Sequence, residues 1–336
     1  MIWNFYFSGI LYAKFREEKE TLTAQVLNME TGRLGEEKPF GEKENEFLQK
    51  LCSRSIAYLF EKKAAYEEKI AQKQETFILD GARFTDRRGE AYIQRDKKFP
   101  TDLFYENGKI WAVLMSGRDY TAVLVREGME ERTILRAWDE VYPDRRCFGV
   151  RFLGTDFVKT RDGERLASDV YLPSEGQRFP TVLIRTPYGK KRGAEGYFRF
   201  VQRGYAVVIQ DVRGREDSTG EWMPQYYEIE DGDDTLNWIA AQPWSDGKVG
   251  MTGGSYLGYV QWAAAASGNP HLKAMLSSVC AGSAFIDLPR RGGCFDSGML
   301  AWCFSVSEQR MRPDLMVQDN WDEILDIRPI ADIPKR

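Results

Sequence analysis

The stretch KVGMTGGSYLGYVQWAAAASG, from Lys248 to Gly268, reads as a short strand, a tight glycine turn holding one serine, and a helix. A serine in such a turn takes a strained backbone conformation and projects its hydroxyl above the C-terminal edge of a sheet. Glycines flank it because neighbouring Cβ atoms would collide with the strand and the helix. Here Gly253 stands two residues before Ser255 and Gly258 three after. The strict spacing G-x-S-x-G wants glycine at 257, where this chain has Leu257, so the turn is the variant G-x-S-x-x-G. The helix that follows offers its positive end to a developing anion. The backbone N–H of Tyr256, next after the serine, is a ready oxyanion donor. Ser255 is therefore a candidate nucleophile. Two other readings compete on the same residues. One is a serine that merely caps the helix. The other is a phosphate cradle, which would need the G-K-[ST] ending of a P-loop or the G-x-G-x-x-G spacing of a dinucleotide site, and neither is present.

Upstream, TVLIRTPYG reads as a buried strand ending in a turn at Thr186–Gly189, followed by a helix up to Arg203 with Gly204 as its left-handed cap. YAVVIQD (Tyr205–Asp211) is the next strand, and the loop VRGREDSTGEWMP follows. A helix is expected from near Glu228 to Ala241, stopped by Pro243. LKAMLSSVCAG is the strand after the serine helix. This alternation implies right-handed crossovers and a mostly parallel sheet with helices on both faces, an α/β class. Ahead of it, GVRFLGTDFVKTRDGERLASDVYLP reads as two antiparallel strands joined at Arg161-Asp162-Gly163.

Residues 1–147 have a different texture, that of a small accessory α+β module. Strands with turns at Ser8-Gly9 and Thr31-Gly32 precede a helix over about 43–75. Hairpins fill about 76–140, with Asn107-Gly108 the strongest turn signal and Glu127-Gly128 a second. The expected divisions are thus 1–147, an α/β domain over 148–284, and an aromatic-rich helical cap beginning over 285–336.

The chain has 336 residues, 43% hydrophobic and 29% charged, with net charge −4, which argues against a nucleic-acid surface. The apolar start MIWNFYFSGILYAKF lacks a basic leader and falls short of the roughly 20 residues that span a bilayer, so no membrane partner is expected. Five cysteines (Cys52, Cys147, Cys280, Cys294 and Cys303) show no C-x-x-C spacing, which predicts reduced thiols, a cytoplasmic setting and no metal site. Lys190-Lys191-Arg192 reads as a solvated loop.

RTPYGK (185–190), QDVRGREDSTGEW (210–222) and EIEDGDDTLNWIAAQPWSDGKVGMTGGSYLGYVQWAAAASGNPHLKAM (228–275) together resemble the acyl esterases related to X-prolyl dipeptidyl-peptidase and cocaine esterase. The resemblance covers about 150–336. It implies an α/β-hydrolase fold with a helical cap and a C-terminal β-sandwich. It also implies hydrolysis of esters, amides or X-Pro peptides by a Ser-Asp-His triad without a cofactor. Ser255 matches the nucleophile, Tyr256 the N–H donor, and Tyr188 the tyrosine whose hydroxyl is the second oxyanion donor. A phenol can donate in that role. Asp211, Arg213, Arg215 and Asp217 fall in the family's Asp-x-Arg-Gly-Arg loop and read as a stabilising ion network; Glu216 stands where glycine is usual. The acidic run Glu228–Asp234 opens a helix and favours its dipole, rather than a metal.

The triad order on this fold is serine, acid, histidine, and the one histidine after Ser255, indeed the one in the chain, is His271. It follows a helix roughly 18 Å long at about 1.5 Å per residue, which puts it at the wrong edge of the sheet. The relatives' acid and histidine come later than Arg336, so this stretch by itself is expected to be inactive. The main alternative is an inactive hydrolase-like or binding protein. The expected partner is a small ester, amide or peptide substrate.

Overall fold

The computed structural model describes residues 1–19, 21–144, 146–283, 286–288, 290–291, 294–317, 320–328 and 332, with the backbone alone for 290, 291, 294 and 295. The chain divides into two units, Met1–Gly149 and Val150–Arg336.

In the first unit eleven strands make one antiparallel sheet. They are β1 Ile2–Phe7, β2 Ile10–Glu17, β3 Leu22–Asn28, β4 Arg33–Leu34, β5 Lys38–Pro39, β6 Thr76–Leu79, β7 Ala82–Arg87, β8 Ala91–Gln94, β9 Thr101–Glu106, β10 Lys109–Ser116 and β11 Thr121–Arg126. The order is β4-β3-β2-β1-β11-β10-β9-β8-β7-β6, with β5 paired to β3. Successive side chains point to opposite faces. Trp3, Phe5, Leu103, Val113 and Leu124 pack with Leu48, Ile56 and Leu59 of helices α1 (Glu42–Cys52) and α2 (Ile56–Ala71). Trp111, Val123 and Val125 pack with Leu135 of α3 (Leu135–Val141).

Two expectations for this unit need correction. The helix over 43–75 is two helices: Ser53 ends the first in the left-handed region at φ 54°, and Ser55 caps the second by accepting from the Tyr58 N–H at 3.1 Å. Polar Ser-Arg-Ser residues compete for backbone hydrogen bonds and break the run. Asn107-Gly108 does make a tight hairpin, with φ 52° and 73°. Glu127-Gly128 does not, because β11 is the last strand and a 3-10 turn (Glu130–Arg132) and α3 follow it.

In the second unit β12 (Val150–Lys159), β13 (Arg165–Pro173), β14 (Phe179–Thr186), β15 (Ala206–Asp211), β16 (Ser245–Gly254) and β17 (Leu272–Ser278) form a six-stranded sheet in the order β12-β13-β15-β14-β16-β17. The last four strands of that order run parallel; β12 and β13 are antiparallel. Strands covered on both faces read as unbroken apolar runs, as in AVVIQD. Val182, Ile184, Val207 and Ile209 face a 3-10 turn (Ala194–Tyr197) and the short α4 (Phe198–Val201). The expected helix up to Arg203 is thus mostly this tighter turn, with Gly204 at φ 90° after it. Leu183, Val208, Val249 and Met251 pack on α5 (Glu228–Ala240) and α6 (Tyr256–Ala266).

Beyond the sheet come a two-strand ladder, β18 (Arg290–Arg291) with β19 (Cys294–Phe295), helix α7 (Ser297–Ser305), a 3-10 turn (Pro313–Met316) and α8 (Trp321–Leu325). The ladder is not helical, as this segment was expected to be. Phe285, the expected start of the cap, lies outside the described residues. Cys52, Cys147, Cys280 and Cys303 are free thiols; the side chain of Cys294 lies outside the description. Among the described residues no helix is long and apolar enough to cross a membrane.

Candidate active site

Ser255 sits between the last residue of β16 and the first of α6, with φ 59° and ψ −123°. A non-glycine residue in that region carries strain of order 1–3 kcal/mol, which surrounding structure must hold in place. Three backbone bonds do so. The Ser255 N–H donates to the Ser278 carbonyl at 3.0 Å, and the N–H groups of Gly258 and Tyr259 donate to the Ser255 carbonyl at 2.9 and 3.1 Å. The side chain is left exposed at the C-terminal edge of the parallel strands, the edge where sites on such sheets form.

The departure from strict glycine spacing has a steric explanation. A Cβ on Gly253 would stand 2.5 Å from the Cβ of Leu257, so the leucine occupies space that glycine leaves open. The close approach to the next strand falls instead at Gly258. A Cβ there would meet the Cys280 Cβ at 2.8 Å and the Ser278 carbonyl oxygen at 3.1 Å. Gly258→Val should push α6 away from β17 and lower stability by about 1–3 kcal/mol, the range for overpacking. An unchanged urea midpoint would refute this account of the turn.

Tyr188 lies in the turn after β14, its N–H donating to the Thr186 hydroxyl at 3.1 Å. Its half-buried hydroxyl accepts from the Trp302 indole N–H at 3.2 Å and lies close to the Ser255 side chain. Burial raises the phenol above its ordinary pKa, outweighing the Trp302 indole N–H and the nearby Ser255 hydroxyl, which lower it. At neutral pH it is therefore a protonated donor. Tyr256, the first residue of α6, has an N–H without an intrahelical acceptor. Its side chain is buried. The hydroxyl donates to Glu228 Oε1 at 2.6 Å and accepts from the Gln225 N–H at 2.9 Å. Its ring lies between Trp222 and Trp302, at 5.7 and 6.2 Å between ring centres. Burial first, then the Glu228 carboxylate, pushes this phenol well above its usual range. Ser255, Tyr188 and the start of α6 are thus brought to one place.

The ion network behind the turn differs from the expectation. Glu228 and Asp231 do more than favour a helix dipole: both are buried, and Glu228 pairs with the fully buried Arg185 at 2.6 Å. Asp231 pairs with Arg213 at 2.6 Å, and Arg213 also reaches Asp162 at 2.5 Å. Lys190 is buried rather than solvated, held by Asp211 at 3.0 Å and by Asp217, while Lys191 and Arg192 are exposed. Arg215 takes no part in the ion network; it donates to main-chain carbonyls. Trp302 was not foreseen. It lies in an apolar run with no motif around it, and it reaches Tyr188 across 114 residues of sequence.

His271 lies away from this cluster. Its ring Nδ1 is 2.9 Å from the Gly247 carbonyl oxygen, at the start of β17. Ser278, whose carbonyl holds Ser255, is at the other end of that strand. At about 3.3 Å per residue the separation along the strand is roughly 20 Å.

A family model described as X-Pro dipeptidyl-peptidase (S15 family) matches residues 162–332, just over half of the chain. The chain is 47% identical over 128 residues to cocaine esterase of Rhodococcus sp. strain MB1 Bresler, covering 36% of this chain and 22% of that protein. The matched stretch is less than a quarter of the length of the curated relatives. Among solved structures, α-amino acid ester hydrolase aligns at 26% identity with TM-score 0.43, covering 48% of this chain and 31% of that one. An aminopeptidase from a marine-sediment Thaumarchaeota archaeon aligns at 24% identity and TM-score 0.44, covering 53% and 34%. The second unit has the α/β-hydrolase fold, and the chain belongs to the S15 family of esterase and peptidase hydrolases.

Proposed function

We propose that the protein is a serine hydrolase that cleaves an ester, an amide or an X-Pro peptide bond through an acyl-enzyme on Ser255. The observation that carries this reading is the strained, exposed Ser255 at the positive end of α6, with the Tyr188 phenol close beside it. The serine attacks the substrate carbonyl, and the Tyr188 hydroxyl and Tyr256 N–H hold the oxygen as it becomes an anion. Leaving-group loss gives the acyl-enzyme, and water then releases the acid. Free thiols support a reducing, cytoplasmic setting.

The step needs a proton acceptor beside Ser255, and His271 is too far to serve. That same observation favours the second reading, a non-catalytic hydrolase-like protein. One experiment separates them. The protein is treated with an alkyl fluorophosphonate, with and without added imidazole, and the modified peptide is identified by mass spectrometry. A primed Ser255 should be labelled, and added imidazole should speed the labelling. No adduct at Ser255 under either condition supports the non-catalytic reading.

A further inference from the structure

Arg215 is fully buried, yet among the described residues no carboxylate lies within ion-pair distance of it. Its Nε donates to the Pro187 carbonyl at 2.9 Å. Its Nη1 donates to the Val306 carbonyl at 2.9 Å and to that of Glu308. Nη2 is buried with no hydrogen-bond partner among the described residues, and the guanidinium lies 5.0 Å from the centre of the Trp222 ring. A buried charge with no counter-ion is costly to hold, so its placement calls for a reason beyond stability.

The two segments it joins supply one. Pro187 directly precedes Tyr188, and Val306 directly follows α7, which carries Trp302. The adjacent residue strengthens the same junction. Glu216, in the left-handed region at φ 51°, donates its N–H to the Gln309 carbonyl at 2.9 Å. Gln309 Nε2 donates back to the Glu216 carbonyl at 2.9 Å, and the Met311 N–H donates to the Glu216 carboxylate at 3.0 Å.

We propose that Arg215 is a positioning residue for the oxyanion donor: it locks the Tyr188 turn to the end of α7, so that the Trp302 indole keeps the Tyr188 hydroxyl aimed at the substrate carbonyl oxygen that becomes an anion when Ser255 attacks. The inference rests on the reading of Ser255 as nucleophile. The phenol oxygen has two lone pairs and one proton. With the Trp302 N–H on one lone pair, rotation of the hydroxyl is restricted and its proton remains available to the anion. A rigid fork with two donating edges can span two carbonyl-bearing segments; an ammonium on a flexible stem cannot reproduce that.

The test is a double-mutant cycle on the rate of Ser255 phosphonylation by the fluorophosphonate, whose transition state also develops an oxyanion. Arg215→Met and Arg215→Lys should each slow labelling by about 10- to 100-fold, the scale of a small misplacement of a catalytic group. Trp302→Phe should do the same. In a Tyr188→Phe background, Arg215→Met should cause little further slowing, because the group it positions is gone. No slowing by Arg215→Met, or its full effect persisting in that background, overturns the proposal.

A reaction-free measurement covers the case in which the parent is not labelled and the hydrolase reading falls. Tyrosines are replaced biosynthetically by 3-fluorotyrosine, and the Tyr188 resonance is assigned from its loss in Tyr188→Phe. A single sharp fluorine line in the parent should shift or broaden in Arg215→Met, while the lines of first-unit tyrosines stay put. An unchanged Tyr188 line refutes the clamp whatever Ser255 does.

Discussion

Ser255→Ala should eliminate fluorophosphonate labelling, and Tyr188→Phe should slow it by about 10²–10³-fold, the usual loss when one oxyanion donor is removed. The serine substitution removes the atom that forms the bond. The phenylalanine removes one hydroxyl and keeps the ring that packs in the turn, so the loss falls on the transition state rather than on folding. The effect is large because the half-buried phenol is a fixed donor, already held by the Trp302 indole, that needs no reorganisation as charge develops. Tyr256→Phe makes the comparison informative. It leaves the backbone N–H in place and removes the tether to Glu228, so it should lower stability more than it lowers the labelling rate. Labelling of Tyr188→Phe at the parent rate, with an unchanged melting temperature, would take Tyr188 out of the site.

The largest expected loss of stability lies just behind that site. Arg185→Met should destabilise the second unit by about 3–5 kcal/mol, the range for breaking a buried pair by removing one partner. Arg185 is fully buried, donating to Glu228 at 2.6 Å and to Gln210 Oε1 at 2.7 Å, with Asp231 3.9 Å away. The methionine would leave the Glu228 carboxylate buried against Tyr256 without its cation. By contrast, Lys248→Ala breaks an exposed pair with Asp246, 3.8 Å apart, and should cost under about 1 kcal/mol. Urea denaturation of the two variants checks both. An Arg185→Met loss no greater than that of Lys248→Ala would mean that the buried carboxylates take up protons or water at little cost.

Much of the second unit was legible because local chemistry and global fold agree there. Apolar runs of strand length alternate with helical periods and are separated by glycine and proline, and β14 to β17 follow them closely. The serine turn was readable because backbone sterics leave few residue types free to occupy it. The first unit was legible as strands and hairpins, but its helix was read as one because an apolar stripe continues across Ser53 in sequence while the chain turns in space. Lys190 was misread because three adjacent basic residues look solvated; only folding brings Asp211 and Asp217 around the first of them.

The sequence by itself determined the succession of the parallel strands and helices and the strand-turn-helix that holds Ser255 and Tyr256, because each depends on residues close together in the chain, while Tyr188 was pointed to by the family resemblance alone. Only the tertiary structure decided which charges pair behind the elbow, that Arg215 bonds to carbonyls rather than carboxylates, and that Trp302 holds the Tyr188 hydroxyl. These contacts join residues up to 114 positions apart. Periodicity and local spacing carry no record of such meetings, since they arise when separate elements pack their faces together.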